Sequence, residues 1–340
     1  MVKFSRYMSE WLYGEEGYYR KHKTIGKEGD FYTAVSSSMF FGGSIAKRII
    51  STIKSGFLSP NTTIAEIGAH KGYLLADIVQ FIYTLEPKLL DTLSFLIVEP
   101  FWENQEAQIE YFKDSFADKI KLLHVKSLKE LKTKEAFFVA NEIFDAFACE
   151  VVKDNRMLMV DGKRLEFSDM DSVTSDLAKR VGIQKGEVAV GYEEFAKDMS
   201  ESCDRFEFVT FDYGDKEPRG DFSLRVYYKH KVYPFFALSD FVEDEELREE
   251  GEFHQFFAKS DLTYDVNFSH LFMAFEQNGV KLHNYSTQAK ALIDFGLIEL
   301  LEILHKNSDE KSYKSELNRV KTLIDSAFMG ERFKMACFRK

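Results

Sequence analysis

The segment 64–75, IAEIGAHKGYLL, most constrains the fold, because a short apolar run ends in a glycine turn and an apolar helical pattern follows at once. Further short apolar runs then alternate with helical patterns, which is typical of βαβ units around a parallel sheet. We predict strands near 62–67, 93–98, 119–124, 136–141 and 206–212. The sequence therefore predicts an α/β fold.

Two helical patterns support this prediction. After the first strand, one helical face carries apolar residues, as a crossover helix packed on a sheet requires; these are Leu74, Leu75, Ile78, Val79 and Ile82. The N-terminus has the same spacing of apolar residues, at Phe4, Tyr7, Met8, Trp11 and Leu12. We expect this amphipathic helix to dock on the core.

The chain lacks repeats and proline-rich linkers, which favours one core with insertions. We divide it into an N-terminal extension with a covering loop, the first part of the core, an insertion after the fourth strand, and the remaining core, at 1–55, 56–147, 148–205 and 206–340. The insertion should open with a hairpin turning at Asp154-Asn155, followed by polar helical sequence.

The last part of the chain should begin with the fifth strand and a second hairpin, which we place at 222–235. Helices from Ala289 to Leu304 and from Asp309 to Phe328 should follow, and a strand from Arg332 to Phe338 should end the chain. These elements would complete the core.

Charge and cysteine content exclude several classes of protein. The formal net charge of the 340 residues is −11, which repels a phosphate backbone and argues against nucleic-acid binding. Eight acids and one arginine between Asp240 and Glu252 contribute −7 of this charge. Three scattered cysteines favour a reducing compartment, and apolar runs are too short to span a bilayer. We expect a cytoplasmic protein with no membrane insertion.

The glycine turn after the first strand indicates a ligand site, since helix N-termini at this edge of a parallel sheet bind ligands. Its G-x-x-x-G spacing, from Gly68 to Gly72, differs from a dinucleotide fingerprint, and no P-loop motif occurs in the chain. An acid, Glu66, precedes the turn, and we expect its negative charge to suit a cationic ligand. Glu99 ends the second strand, where it could accept hydrogen bonds from a ribose. S-adenosylmethionine has both a cationic end and a ribose.

The fourth strand ends abruptly in polar residues, Asn141, Glu142 and Asp145, at the same edge of the predicted sheet. They could simply cap the next helix. Alternatively, they could orient a methyl acceptor, with the carboxylates holding a cationic nitrogen. Both interpretations remain open at this point.

Several motifs, taken in order, resemble those of the MidA-like methyltransferases, a family that includes the mitochondrial complex I assembly protein arginine methyltransferase. The resemblance covers nearly the whole chain. It rests on Leu12-Tyr13, Gly17-Tyr18-Tyr19, Gly29-Asp30-Phe31-Tyr32-Thr33-Ala34, Glu66-Ile67-Gly68, Gly72, Asn141-Glu142-Ile143-Phe144-Asp145-Ala146, Asp212-Tyr213-Gly214, Asp261-Leu262-Thr263, Val266, Phe268, Gln288, Met329-Gly330 and Phe333-Lys334.

The resemblance implies a class I, Rossmann-like methyltransferase that uses S-adenosylmethionine and methylates arginine in a protein partner. It implies that Gly29, Asp30 and Phe31 close over the cofactor, and that Asn141 and Glu142 lie near the transferred methyl. The implied cofactor-binding residues are Gly29, Asp30, Phe31, Glu66, Gly68, His70, Gly72, Glu99 and Asn141. The implied catalytic residues are Asn141, Glu142 and Asp145.

Two departures from the family pattern stand out. His70 replaces the middle glycine of the turn, so its imidazole must avoid the ligand or touch it. The segment from Phe235 to Ala258 is longer than the family's usual loop and contains the acidic run. A scaffolding protein that retains the fold, or a small-molecule methyltransferase with the insertion as a lid, are the alternatives. The scattered histidines suggest no metal.

Overall fold

The structure is a computed structural model that describes residues 1–20, 33–162, 164–238 and 253–340. The chain forms two compact units. The core unit comprises Thr33–Ile143, Phe195–Tyr213 and Phe275–Lys340. The second unit comes from Met1–Tyr32, Phe144–Glu194 and Gly214–Ala274, as far as the structure describes them. The four stretches that the sequence suggests as domains stay a prediction.

The described residues form strands and helices in the following order. The strands are β1 Val2–Lys3, β2 Thr63–Ile67, β3 Ser94–Val98, β4 Leu122–Val125, β5 Thr133–Asn141, β6 Cys149–Lys153, β7 Arg156–Asp161, β8 Arg164–Asp169, β9 Lys185–Ala189, β10 Cys203–Asp215, β11 Arg225–Tyr228, β12 Lys231–Pro234, β13 Asp261–Thr263, β14 Val266–Asn267, β15 Lys281–Thr287 and β16 Phe333–Arg339. The helices are α1 Phe4–Tyr13, α2 Ala34–Ser37, α3 Phe40–Lys54, α4 Tyr73–Leu85, α5 Trp102–Phe116, α6 Ser172–Arg180, α7 Tyr192–Ser202, α8 Phe268–Gln277, α9 Gln288–Asp294, α10 Leu297–Asn307 and α11 Glu310–Ile324.

The core unit is built on a mixed sheet in the order β15-β16-β10-β5-β2-β3-β4. Strands β10, β5, β2, β3 and β4 run parallel, and β16 runs antiparallel to both β10 and β15. Within the parallel part, Ile67 pairs with Val98 on one side and Ala140 on the other. The carboxyl ends of β2, β3 and β5 therefore meet at one edge, where the strand order reverses and α/β folds bind ligands.

Apolar helix faces cover this sheet as the periodicity predicts. All five apolar residues predicted on one face of α4 are buried, and α3 contributes Phe41, Ile45 and Ile49 to the same core. Burying each such side chain stabilises the fold by about 1.5–3 kcal/mol. The five predicted strands are all present, with ends that differ from the predicted ones by up to three residues.

The second unit contains two smaller sheets among its described residues. One has the order β1-β7-β6-β9, with β8 paired to β7, and the other has the order β12-β11-β13. Helix α1 buries Phe4, Met8, Trp11 and Leu12 completely, as its spacing predicts. The indole Nε1 of Trp11 donates a hydrogen bond of 2.8 Å to the carbonyl of Ser260.

The insertion after β5 is only partly as predicted. Its hairpin turns at Asp154 and Asn155, which both have positive φ, and the second predicted hairpin forms as β11 and β12. The polar helical sequence predicted after the first hairpin forms α6 and α7, but β8 and β9, which were not predicted, also form there. Strand β9 reads as polar (KGEVA), but its pairing with β6 determines its conformation.

The C-terminal prediction needs one correction. The single helix expected from Ala289 to Leu304 breaks at Gly296, whose φ of 94° ends α9 and begins α10. Strand β16 forms where predicted. No helix in the described part of the chain is both long and apolar enough to cross a lipid bilayer.

Candidate functional site

The glycine turn after β2 lies at the carboxyl edge of the core sheet. Gly68 has a φ of 71°, and a Cβ at this position would lie 2.8 Å from Cγ2 of Ile143. His70 also has positive φ, and the N–H of Gly72 donates to the carbonyl of Ala69 at 2.7 Å, just before α4 begins. The sequence thus forms a tight turn in which a side chain at residue 68 does not fit.

Glu66 lies beneath this turn and is 4% exposed. Its Oε2 accepts a hydrogen bond of 2.9 Å from the backbone N–H of Leu75, in the first turn of α4. Burial raises the pKa of Glu66 to about 8. The hydrogen bond to Leu75 ties the strand to the helix, and the expected role of Glu66 toward a cationic ligand stays a prediction.

Glu99 follows the neighbouring strand β3 and is also 4% exposed. Its Oε1 accepts from the backbone N–H of Phe101 at 2.9 Å, whereas Oε2 lies 3.5 Å from Nε2 of Gln108. Burial raises the pKa of Glu99, and these hydrogen bonds oppose the rise. The carboxyl thus keeps acceptor capacity at the position where the sequence predicts a ribose contact.

Gln108 is a residue of this site that the sequence reasoning missed. Although it lies on a largely polar helix, α5, it is fully buried. Its Nε2 donates to the carbonyl of His70 at 2.7 Å, and its Oε1 lies 2.9 Å from Nε2 of His124. Gln108 therefore links the glycine turn to β4 and to the side chain of Glu99.

The end of β5 places Asn141 and Glu142 at the same edge of the core sheet. Nδ2 of Asn141 donates to Oε1 of Glu142 at 2.8 Å. Oδ1 of Asn141 is buried and has no hydrogen-bond partner among the described residues. Glu142 has a φ of 54°, and its N–H donates to the carbonyl of Phe211 at 2.8 Å. Such strain in a residue other than glycine is a feature of functional sites.

Asp145 belongs to the second unit, so the structure does not unite it with Asn141 and Glu142 in one unit. It is 4% exposed and lies in a short helical turn, and its carbonyl accepts from the N–H of Tyr264. The predicted loop residues Gly29, Asp30 and Phe31, and the acidic run from Asp240 to Glu252, lie outside the described residues.

Two tyrosines and two buried carboxyls form a cluster within the second unit. Tyr19 Oη donates to Oδ1 of Asp261 at 2.8 Å, and Tyr13 Oη donates to the carbonyl of Ala146 at 3.0 Å. The two rings stack with centroids 5.5 Å apart. Burial raises the pKa of both phenols, and the charges of Asp145 and Asp261 raise it further. We call Tyr13, Tyr19, Asp145 and Asp261 the tyrosine-acid cluster.

A family model described as S-adenosyl-L-methionine-dependent methyltransferase matches residues 44–286, most of the chain. The chain belongs to this family. It is an enzyme that uses S-adenosylmethionine as its cofactor, and its fold is the class I methyltransferase fold that the sequence predicts.

Relatives along the whole chain agree with this membership. The protein arginine methyltransferase NDUFAF7, mitochondrial, of Rattus norvegicus is 24% identical over 98% of this chain and 79% of its own length. Its Homo sapiens counterpart is 24% identical over 98% of this chain and 78% of its own. A Burkholderia thailandensis structure bound to S-adenosylhomocysteine matches all of this chain and 88% of its own, with a TM-score of 0.80 and 22% identity. That structure shows the shared fold.

The residues at the sheet edge fit the methyltransferase cofactor. The turn at Gly68 packs its backbone against Ile143, where a Cβ would clash, and Glu99 offers a carboxyl at the next strand end. The unpartnered Oδ1 of Asn141 is an acceptor suited to an ammonium group. The predicted residues Glu66, Gly68, His70, Gly72, Glu99 and Asn141 all lie at or directly after the ends of β2, β3 and β5.

Proposed function

We propose that this methyltransferase methylates an arginine side chain of a protein. The observation that carries the proposal is the tyrosine-acid cluster, in which buried carboxyls lie beside two stacked tyrosines. A guanidinium is planar and always charged, pairs with carboxylates through two hydrogen bonds, and stacks on aromatic rings. The Rattus norvegicus and Homo sapiens relatives are named as protein arginine methyltransferases, which supports the same acceptor.

The core unit, in this proposal, holds the cofactor. The backbone of the turn from Gly68 to Gly72, with His70, borders it, Glu99 accepts from its ribose hydroxyls, and Oδ1 of Asn141 accepts from its ammonium group. Glu66 positions the turn through its hydrogen bond to α4. S-adenosylmethionine supplies a methyl group activated by a sulfonium.

The carboxylates, in this proposal, orient the acceptor. Asp145 and Asp261, which both belong to the second unit, hold the guanidinium. Holding a nucleophile in one orientation and excluding water are the main contributions that such a protein can make to group transfer. Since the proton of the nitrogen can leave late, a strong general base is not required.

Calorimetry with S-adenosylmethionine and S-adenosylhomocysteine tests the cofactor assignment. We expect Glu99→Ala to weaken the binding of both by about ten- to a hundredfold, because one charge-assisted hydrogen bond contributes roughly 1.5–3 kcal/mol. Glu103→Ala is the matched control, since Glu103 is exposed on the same stretch of chain. Equal affinities of Glu99→Ala and the parent would remove Glu99 from the site.

Transfer of labelled methyl to a cell lysate, followed by amino-acid analysis of the labelled protein, tests the acceptor. The proposal predicts label in methylated arginine. Label in a small molecule, or in another amino acid, would overturn the arginine assignment while leaving the methyltransferase activity in place.

A further inference from the structure

The second unit contains a pocket of about 550 Å³ that the proposed methyl transfer does not use. Its walls are the start of β9, the stretch 215–223 after β10, and the residues Asp265, Val266 and Asn267. Pockets of about 300–1,000 Å³ accommodate small molecules or a few residues of a peptide.

Asn267 supplies the observation that points to a ligand. Its side chain is 9% exposed, and Oδ1 accepts from the backbone N–H of His270 at 3.3 Å, which fixes the orientation of the amide. Nδ2 is then left buried, with no hydrogen-bond partner among the described residues. A buried donor without a partner costs about 1–3 kcal/mol, so a ligand with an acceptor oxygen would be favoured here.

The charges that line the pocket favour a cationic ligand. Five acids line it against three cations: Glu187, Asp215, Glu217, Asp221 and Asp265 against Lys185, Lys216 and Arg219. Lys185 pairs with Asp221 at 2.6 Å. Asp265 pairs with Arg219 at 2.8 Å and also with Arg225, which does not line the pocket.

Two further acids of the pocket, Glu187 and Glu217, differ in burial and in hydrogen bonding. Both carboxyl oxygens of Glu187 accept from the backbone of Ser223 and Leu224 and from the hydroxyl of Ser223. Glu217 is exposed at the pocket, and its carboxylate forms no ion pair within the described part of the chain. Glu217 is therefore the acid best placed to pair with an incoming cation.

We propose that this pocket binds a basic stretch of polypeptide in the substrate, outside the methylated arginine itself. A backbone carbonyl of the peptide accepts from Nδ2 of Asn267, and a lysine or arginine side chain pairs with Glu217. The inference rests on the proposed function, because it takes the substrate to be a protein.

Fluorescence anisotropy on the full-length enzyme tests this inference. The probe is a labelled peptide in which a central arginine is flanked by glycines and lysines, and a second peptide carries glutamates in place of the lysines. Asn267→Ser keeps an oxygen that can cap α8 but removes Nδ2, and we expect affinity for the basic probe to fall about fivefold. Glu217→Lys should lower it by about three- to tenfold.

Asp176→Lys is the matched control, since it makes the same charge change at an exposed position of α6 in the same unit, and Asp176 does not line the pocket. We expect less than about a twofold effect from it, because screening weakens distant charges. Binding of the acidic probe as tight as that of the basic probe, or wild-type affinity in both pocket variants, would overturn the inference.

The fate of the label in the lysate assay separates this inference from the proposed function. Methylarginine in the product, together with unchanged peptide binding by the pocket variants, would overturn the pocket and retain the acceptor. Label elsewhere, together with weakened binding by both pocket variants, would overturn the acceptor and retain the pocket as a peptide site.

Discussion

Glu66 and Leu75 are joined by a hydrogen bond of 2.9 Å, which ties a buried carboxyl on β2 to the first turn of α4. Burial raises the pKa of Glu66 to about 8, whereas the value in an unfolded chain is about 4.3. Between these two values the folded chain binds a proton that the unfolded chain has lost. The free energy of unfolding therefore falls as the pH rises through this window, and the loss is complete above the folded pKa.

We expect Glu66→Gln to reduce this fall, because glutamine is uncharged at every pH and can accept the same N–H. As the pH rises from about 5 to about 8, the free energy of unfolding of the variant should increase relative to that of wild type by on the order of 3 kcal/mol. Urea unfolding at a series of pH values measures it. Burial also raises the pKa of Asp77 to about 7, so the comparison should be repeated in an Asp77→Asn background. Parallel pH profiles for wild type and Glu66→Gln would contradict the assignment.

The turn at Gly68 gives a second prediction, with a matched control in Gly56. Both glycines have φ near the left-handed region, 71° and 77°, but a Cβ at Gly68 meets Ile143 whereas a Cβ at Gly56 meets nothing within 4 Å. Gly56→Ala should cost about 1 kcal/mol for backbone strain alone, and Gly68→Ala about 2 kcal/mol more for the clash. Urea unfolding measures both.

Cofactor binding should separate the same two variants. We expect weaker binding of S-adenosylhomocysteine by Gly68→Ala and unchanged binding by Gly56→Ala, measured by calorimetry. Equal stability and equal affinity in the two variants would show that Ile143 yields without cost and that the turn does not border the cofactor.

The tyrosine-acid cluster gives a third prediction. Tyr19→Phe removes the hydroxyl that donates to Asp261 at 2.8 Å but keeps the ring stacked on Tyr13. If Asp261 holds the acceptor, kcat/KM for the protein substrate should fall about fivefold while the affinity for S-adenosylhomocysteine is unchanged. Tyr83→Phe is the control, because Tyr83 is 63% exposed. An equal loss of affinity for S-adenosylhomocysteine would contradict a role of Tyr19 that is confined to the acceptor.

Local patterns were sufficient to predict the parallel core. The apolar spacing of α4, the apolar runs of β2 and β3, and the turn at Asp154-Asn155 each report on a few neighbouring residues, and all are confirmed. The polar residues at the ends of β2, β3 and β5 lie at one edge of the sheet, as predicted, because the topology of parallel strands brings their carboxyl ends together.

Features that depend on distant partners could not be predicted in this way. Gln108 is buried only because Glu99, His124 and the carbonyl of His70 surround it, although its helix reads as largely polar. Strand β9 likewise depends on β6 for its backbone partners. The raised pKa of Glu66 also depends on burial, which the local sequence does not report.

Glu207 also depends on partners that are distant in the sequence. It lies fully buried in β10, where Oε1 accepts from Nε of Arg48 at 2.6 Å and Oε2 accepts from Nε of Arg339 at 2.8 Å. Removing one partner of a buried ion pair leaves uncompensated charge, so Glu207→Gln should lower the free energy of unfolding by about 3 kcal/mol. Glu310→Gln breaks the exposed pair with Lys314 and should cost less than about 0.5 kcal/mol. Urea unfolding measures the free energy of unfolding of both variants. Equal decreases would contradict the prediction and would mean that solvent compensates the charges of Arg48 and Arg339 when Glu207 is neutralised.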